Sequence, residues 1–274
     1  MTGDVNPLSL LFAEVLLFWH ATNYLFTADP SSGRNTWYSR GRKQWFAWFI
    51  LRAIAAGILT VAVAGWWPGI ILAGLIVFGC VFLPVARWLW MPPGYIAELE
   101  LGANIVFVAI AQSLISHFDL HVQWALFSIP VSEHLISAYT ITAALLIFVV
   151  RGGTFIVRGI LDRAGTMPPP ELEHPSHLET ATPRELERAL PVDTIELNHG
   201  RLIGNVERLI LVLLVANGQY TALAFFFAAK GLIRSKDIER RAWADYLILG
   251  SLTSFLVAVV AGILIQAVFH LLLP

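Results

Sequence analysis

Apolar stretches at 53–66 with its flanks, 69–90, 136–150, 209–229 and 243–273 constrain this chain more than any motif in it. Crossing ~30 Å of hydrocarbon takes ~20 apolar residues in a helix, and these runs approach or exceed that length. Inside a bilayer every backbone N–H and C=O must find a partner within the protein, which leaves helices or a closed barrel. Barrel strands alternate over ~10 residues; these runs are longer and continuous. The expectation is an all-α polytopic transmembrane bundle. Hydrophobic residues at 57%, charged residues at 14% and a mean hydropathy of +0.69 agree, since a soluble chain this apolar would aggregate.

A formal charge of −1 argues against a nucleic-acid partner and leaves the lipid bilayer as the first one. The single cysteine, Cys80, lies in the apolar run IVFGCVFL, so neither an intramolecular disulfide nor a CxxC site can form. No cofactor and no metal are expected. His174 and His177 have ligand-like spacing but read as a solvated loop. GxxxxGK[ST], GxSxG, HExxH and GxGxxG are all missing. The N-terminus, with Asp4 and Glu14, no basic region and no small-x-small site, reads as a retained helix rather than a cleaved signal.

The expected spans run about 7–27, 45–66, 69–90, 96–116 and 135–157, making an N-terminal bundle over 1–161. Arg34, Arg40, Arg42 and Lys43 place the first loop in the cytoplasm by the positive-inside rule. Residues 162–199 form an acidic, proline-rich linker with eight acids and three bases, hence a net charge of −5. Within it Thr182-Pro183-Arg184-Glu185 has capping-box form and predicts a short helix over 183–190. A hydrophobic hairpin over 200–274 follows: about 202–229, a charged turn at 230–242, then 243–273.

The side assignments conflict here. Lys230, Arg234, Lys236, Arg240 and Arg241 put the turn inside, yet one crossing from an inside linker would put it outside. Three solutions are open: the linker is outside, 202–229 enters and leaves on one side with a break near Asn217-Gly218, or the fourth span does not cross. The count stands at six or seven.

Ionisable groups at membrane depth are costly unless partnered, so they are the candidates for function. Glu14, His20 and Asn23 lie in the first span. Glu98, Glu100, Asn104 and Gln112 recur along the fourth; the two acids also suit a helix N-terminus. Gly200, Arg201, Gly204, Glu207 and Arg208 open the C-terminal hairpin. Gln219 lies mid-span, Lys230 and Arg234 close the segment, and Asp245 starts the last span. Gly200-x-x-x-Gly204 suggests close helix packing and a homo- or hetero-oligomer through that face. Replacing Gly204 by leucine is therefore expected to destabilise the chain, and Glu207 to pair with Arg201, Arg208, Lys230 or a cation from another span.

The stretch GRLIGNVERLILVLLVANGQYTALAFFFAAKGLIR, with ADYLILGSLTSFLVA after it, resembles the C-terminal motif of an uncharacterised bacterial integral-membrane family, a domain of unknown function. The family motif, G-R-x-I-G-x-x-E-R, G-Q, A-A-K-x-x-x-R, acidic-Tyr-x-x-x-G, falls on Gly200, Arg201, Ile203, Gly204, Glu207, Arg208, Gly218, Gln219, Lys230, Arg234, Asp245, Tyr246, Gly250 and Ser254. In its first helix the family tends to carry His-x-x-x-Asp-Phe; here Tyr24 stands four residues after His20. The resemblance implies a bacterial inner-membrane protein and no particular activity. Three functions remain in view: binding or conducting an ion, proton or small solute along a polar path, a membrane scaffold or accessory subunit, and an intramembrane enzyme, the last weakened by the lack of a nucleophile–base pair.

Overall fold

A computed structural model describes residues 9–25, 42–86, 92–118, 120, 132–166, 194–234 and 241–273. All regular structure among them is helical. The helices are α1 Leu10–Leu25, α2 Arg42–Ala64, α3 Trp66–Val85, α4 Ile96–His117, α5 Glu133–Arg163, α6 Thr194–Ala216, α7 Tyr220–Arg234 and α8 Arg241–Leu272. Four of these carry runs long and apolar enough to cross a membrane: α3, α4, α5 and residues Ala244–Leu272 of α8. Leu10–Leu25, Ile50–Ala64 and Tyr220–Leu232 are shorter apolar helices. The chain is thus built as an integral membrane protein. Its outward apolar residues, such as Ile105, Val106, Leu252 and Leu256, are the surface a bilayer covers.

Helix ends follow local chemistry. Ser9 caps α1, its Oγ accepting from Phe12 N at 3.3 Å, and Ser132 does the same for α5 from Leu135 N at 3.4 Å. Between α2 and α3 the chain reverses at Gly65, whose φ of 85° is open chiefly to glycine. The hairpin closes tightly because Gly69 lies on the backbone of Val61, while Trp66 and Trp67 face outward, as interfacial tryptophans do.

Contacts define the directions. Trp19, His20 and Tyr24 meet Phe107, Asn104 and Glu100 in descending order, so α1 and α4 are antiparallel. Helix α5 runs antiparallel to α8, from Tyr139 on Phe269 at one end to Leu161 against Gly250 at the other. One core joins α1 to α5 with the C-terminal residues Val268 and Leu272 of α8. The second packs Val149 of α5 against Leu211, Val212, Ala258, Ala261 and Ile265. The last span therefore packs both on α6 and into the N-terminal bundle's core.

The expected span at 202–229 is not continuous. Helix α6 starts at Thr194, ahead of the expected 200, and ends at Ala216; α7 begins at Tyr220. Gly218, with φ of 67°, makes the turn, and Gln219 N closes it on Leu214 O at 2.8 Å. Lys230 Nζ lies 2.5 Å from Glu207 Oε2. In an unbroken helix those residues would stand ~35 Å apart at 1.5 Å per residue. The two arms run back along each other. The helix expected at 183–190 lies outside the described residues.

Candidate functional site

Helix α1 changes register at its end, from α geometry over Leu10–His20 to a π-helical turn over Ala21–Leu25. A second π-helical turn, Phe148–Gly152, interrupts α5. Such turns widen the helix and leave carbonyls without their usual partners. Local side chains take these up: Thr22 Oγ1 donates to Phe18 O at 2.7 Å and Asn23 Nδ2 to Trp19 O at 3.0 Å. Arg52, buried on α2, donates to Thr22 O at 3.3 Å, a cation on the carbonyl end of a helix.

At the meeting of these two turns lies the main polar cluster. Tyr24 Oη donates to Glu100 Oε2 at 2.8 Å and accepts from Asn104 Nδ2 at 2.6 Å. Asn104 Nδ2 also donates to Glu100 O at 2.7 Å. The amide oxygen Oδ1 receives Trp19 Nε1 and His20 Nε2, each at 3.0 Å. Tyr24 and Glu100 are fully buried, and His20 and Trp19 nearly so.

This geometry decides protonation states. An indole N–H only donates, so the atom facing Trp19 must be the oxygen of Asn104. That oxygen can only accept, so His20 Nε2 must carry a proton. The ring lies against the Ala144 backbone, and its Nδ1 is buried without a hydrogen bond of good geometry among the described residues. A carboxyl, a phenol, an amide and an imidazole thus form one bonded chain from Glu100 to His20.

Aromatic rings wall it in. Phe148 stacks on His20 and meets Tyr24 edge-on, with centroids 5.5 Å away in each case. Gly152 makes room for them: a Cβ there would come within 2.5 Å of the Phe148 ring and 3.2 Å of Tyr24. Farther along, the antiparallel register brings buried Glu14 to the level of Ala111 and Gln112, whose Oε1 is buried without a partner among the described residues.

A second cluster is centred on Arg208, which is 3% exposed. Its Nη2 donates to Thr154 Oγ1 at 2.9 Å and to Asn205 Oδ1. It fits because Gly153 is bare; a Cβ there would lie 3.0 Å from Nη1. Glu207, next along the helix, pairs with Lys230 instead.

The sequence candidates therefore separate. Glu100, Asn104 and His20 converge, with Asn23 beside them. Glu98 does not join: it faces outward in an ion pair with Arg163, whose guanidinium also lies 5.1 Å from the Tyr95 ring centroid. Gln219 and Asp245 are exposed, so Gln219 belongs to a turn and not to a polar waist inside a span. Gly200 and Arg201 lie in α6 and Arg234 in α7, but the side chains of Arg201 and Arg234 are outside the described residues.

Within the chain, the expected packing at Gly204 is not found among the described residues. A Cβ at Gly204 meets nothing within 4 Å among the described residues. Close approaches fall elsewhere: Gly159 on the Ala97 backbone, Gly262 on Val215 and Gly79 on the Trp19 ring. Sequence reasoning passed over Tyr24, Trp19, Thr154 and Arg52. Arg52 carried a signal, a lone cation inside ILRAIAAG; Tyr24 carried only its spacing from His20; Thr154 carried none.

Among the described residues no three His, Cys, Asp or Glu side chains gather as metal ligands. Set against protein-family models, characterised proteins and solved structures, the chain matches none, so its function has to be argued from its own residues.

Proposed function

We propose that this is a multi-pass protein of a bacterial cytoplasmic membrane that binds and exchanges protons at the buried Glu100–Tyr24–Asn104–His20 chain. The observation that carries this reading is the bonded chain itself, sealed in the bundle where two π-helical turns meet. Ionisable groups are costly at such depth and mark ion or proton paths, and π turns gather at functional sites. Glu14 and Gln112 extend the polar column toward the opposite end of α1.

The proposed topology is six crossings plus a re-entrant hairpin formed by α6 and α7. It is supported by the Glu207–Lys230 pair, which returns α7 to the side from which α6 starts. Arg34 to Lys43, Arg87, Arg163 and Lys236 to Arg241 then all face the cytoplasm, as the positive-inside rule requires. The linker is on that side too.

Proteoliposomes loaded with a pH-sensitive dye and given an inside-negative potential test the functional reading. The intact chain should acidify the lumen faster than protein-free vesicles, and Glu100→Gln should abolish the difference. Equal rates for the intact chain and empty vesicles, or for the intact chain and Glu100→Gln, would overturn it. The scaffold reading has one observation in its favour, the outward Gly204 face of α6; cross-linking of two copies through that face would advance it.

A further inference from the structure

Arg208 is the anomaly that the proton site does not use. A buried guanidinium needs an anion or a full set of acceptors. Among the described residues no carboxylate is within ion-pair distance of it; Glu207, whose charge acts on it from the next position, is bonded to Lys230 at 2.5 Å. Thr154 and Asn205 satisfy Nη2, but Nε is buried without a partner. The amide Nδ2 of Asn205 makes no hydrogen bond either among the described residues, its Oδ1 being the atom in use. Donors on two neighbouring side chains are therefore uncommitted around one positive charge.

The guanidinium reaches back along its own helix to Asn205, the neighbour of Gly204, and lies against bare Gly153 of α5. At Gly204 the space is open for at least 4 Å. The residues around the opening, Leu202, Ile203 and Val206, are apolar and exposed, a rim that suits acyl chains and not water. Arg208 also lies in the hairpin bounded by the basic segment 230–241, where an anionic leaflet concentrates its headgroups.

We propose that Arg208, with Asn205 and Thr154, forms a site for a phosphate-class oxyanion, entered across bare Gly204 and filled by the headgroup phosphate of an anionic phospholipid. Guanidinium binds phosphate through paired N–H groups, and Nε with the Asn205 amide provides donors where Gly204 leaves room. The site is independent of the proton chain at His20 and Glu100.

The full chain, purified in neutral detergent, is titrated with phosphatidylglycerol, with phosphatidylcholine and separately with inorganic phosphate while its thermal unfolding is followed. Phosphatidylglycerol at a hundredfold excess over its Kd should raise Tm by roughly 5–11 °C, with no shift from the other two. Arg208→Gln should lose the response. Gly204→Leu, whose Cβ meets no neighbour within 4 Å among the described residues, should fold normally and lose it as well. A shift of equal size from inorganic phosphate alone would overturn the lipid as occupant while supporting the oxyanion site. No shift in the intact chain, or an undiminished shift in Gly204→Leu, would overturn the site.

Discussion

Two glycines in this chain should respond to the same substitution with opposite sign. In Gly159→Ala the new Cβ would sit 2.6 Å from Ala97 N and 3.1 Å from Ala97 Cβ, about 1 Å short of ordinary contact. The obstacle is helix backbone and cannot rotate aside. Overpacking of this kind costs about 1–3 kcal/mol, against about 0.5–1 kcal/mol gained when a helical glycine becomes alanine. Pushing α4 from α5 also strains the Glu98–Arg163 pair and loosens the Tyr24–Glu100 bond. A net loss of about 2 kcal/mol results. Gly204→Ala meets nothing within 4 Å and keeps the helical gain of about 0.5–1 kcal/mol. At ~2–4 °C per kcal/mol, the melting temperatures should lie roughly 4–8 °C below and roughly 1–4 °C above that of the parent.

The assay is supplied by the chain. Cys80 is its one cysteine and is buried, so a thiol-reactive fluorophore reports the opening of the bundle. Scans at one fixed rate keep the three proteins comparable if unfolding is irreversible. The reasoning fails if Gly159→Ala melts with the parent, or if Gly204→Ala falls as far as Gly159→Ala does.

Further predictions concern the hairpin, the proton chain and the linker. In a Cys80→Ala background, Glu207→Cys and Lys230→Cys together should cross-link under mild oxidation; a continuous 202–229 helix would hold them apart and give no cross-link. Ser39→Cys and Ser235→Cys should be labelled from the same side of the membrane, and labelling from opposite sides would sink the re-entrant topology. Tyr24→Phe removes the hydroxyl that donates to Glu100 and accepts from Asn104, without changing ring packing. It should cost about 1–2 kcal/mol, the upper range for side-chain hydrogen bonds within membranes, and an unchanged Tm would show that the chain contributes nothing to folding. Deleting 168–180, a stretch with three prolines at its start and few apolar side chains, should leave Tm unchanged; a drop of several degrees would mean that the linker packs on the bundle.

Length and composition alone determined the class of this protein, because a bilayer admits only backbones that satisfy themselves, and runs of this length do so as helices. A reversal between the second and third expected spans was also legible, and a break near Asn217-Gly218 stood as one of three open solutions, since both depend on local chemistry. What required the tertiary structure was which of the candidate residues meet. Glu98 and Glu100 sit two positions apart, so they point to different sides of α4; one reaches solvent and the other Tyr24. No local rule distinguishes Gly204, with open space, from Gly159, pressed on a neighbouring helix, because a glycine's role is set by what another segment places beside it. That the segment 202–229 folds back on itself likewise emerged only with Glu207 and Lys230 in contact across the hairpin. Pairing between positions 23 residues apart depends on how the chain folds back, and spacing along a sequence does not carry that information.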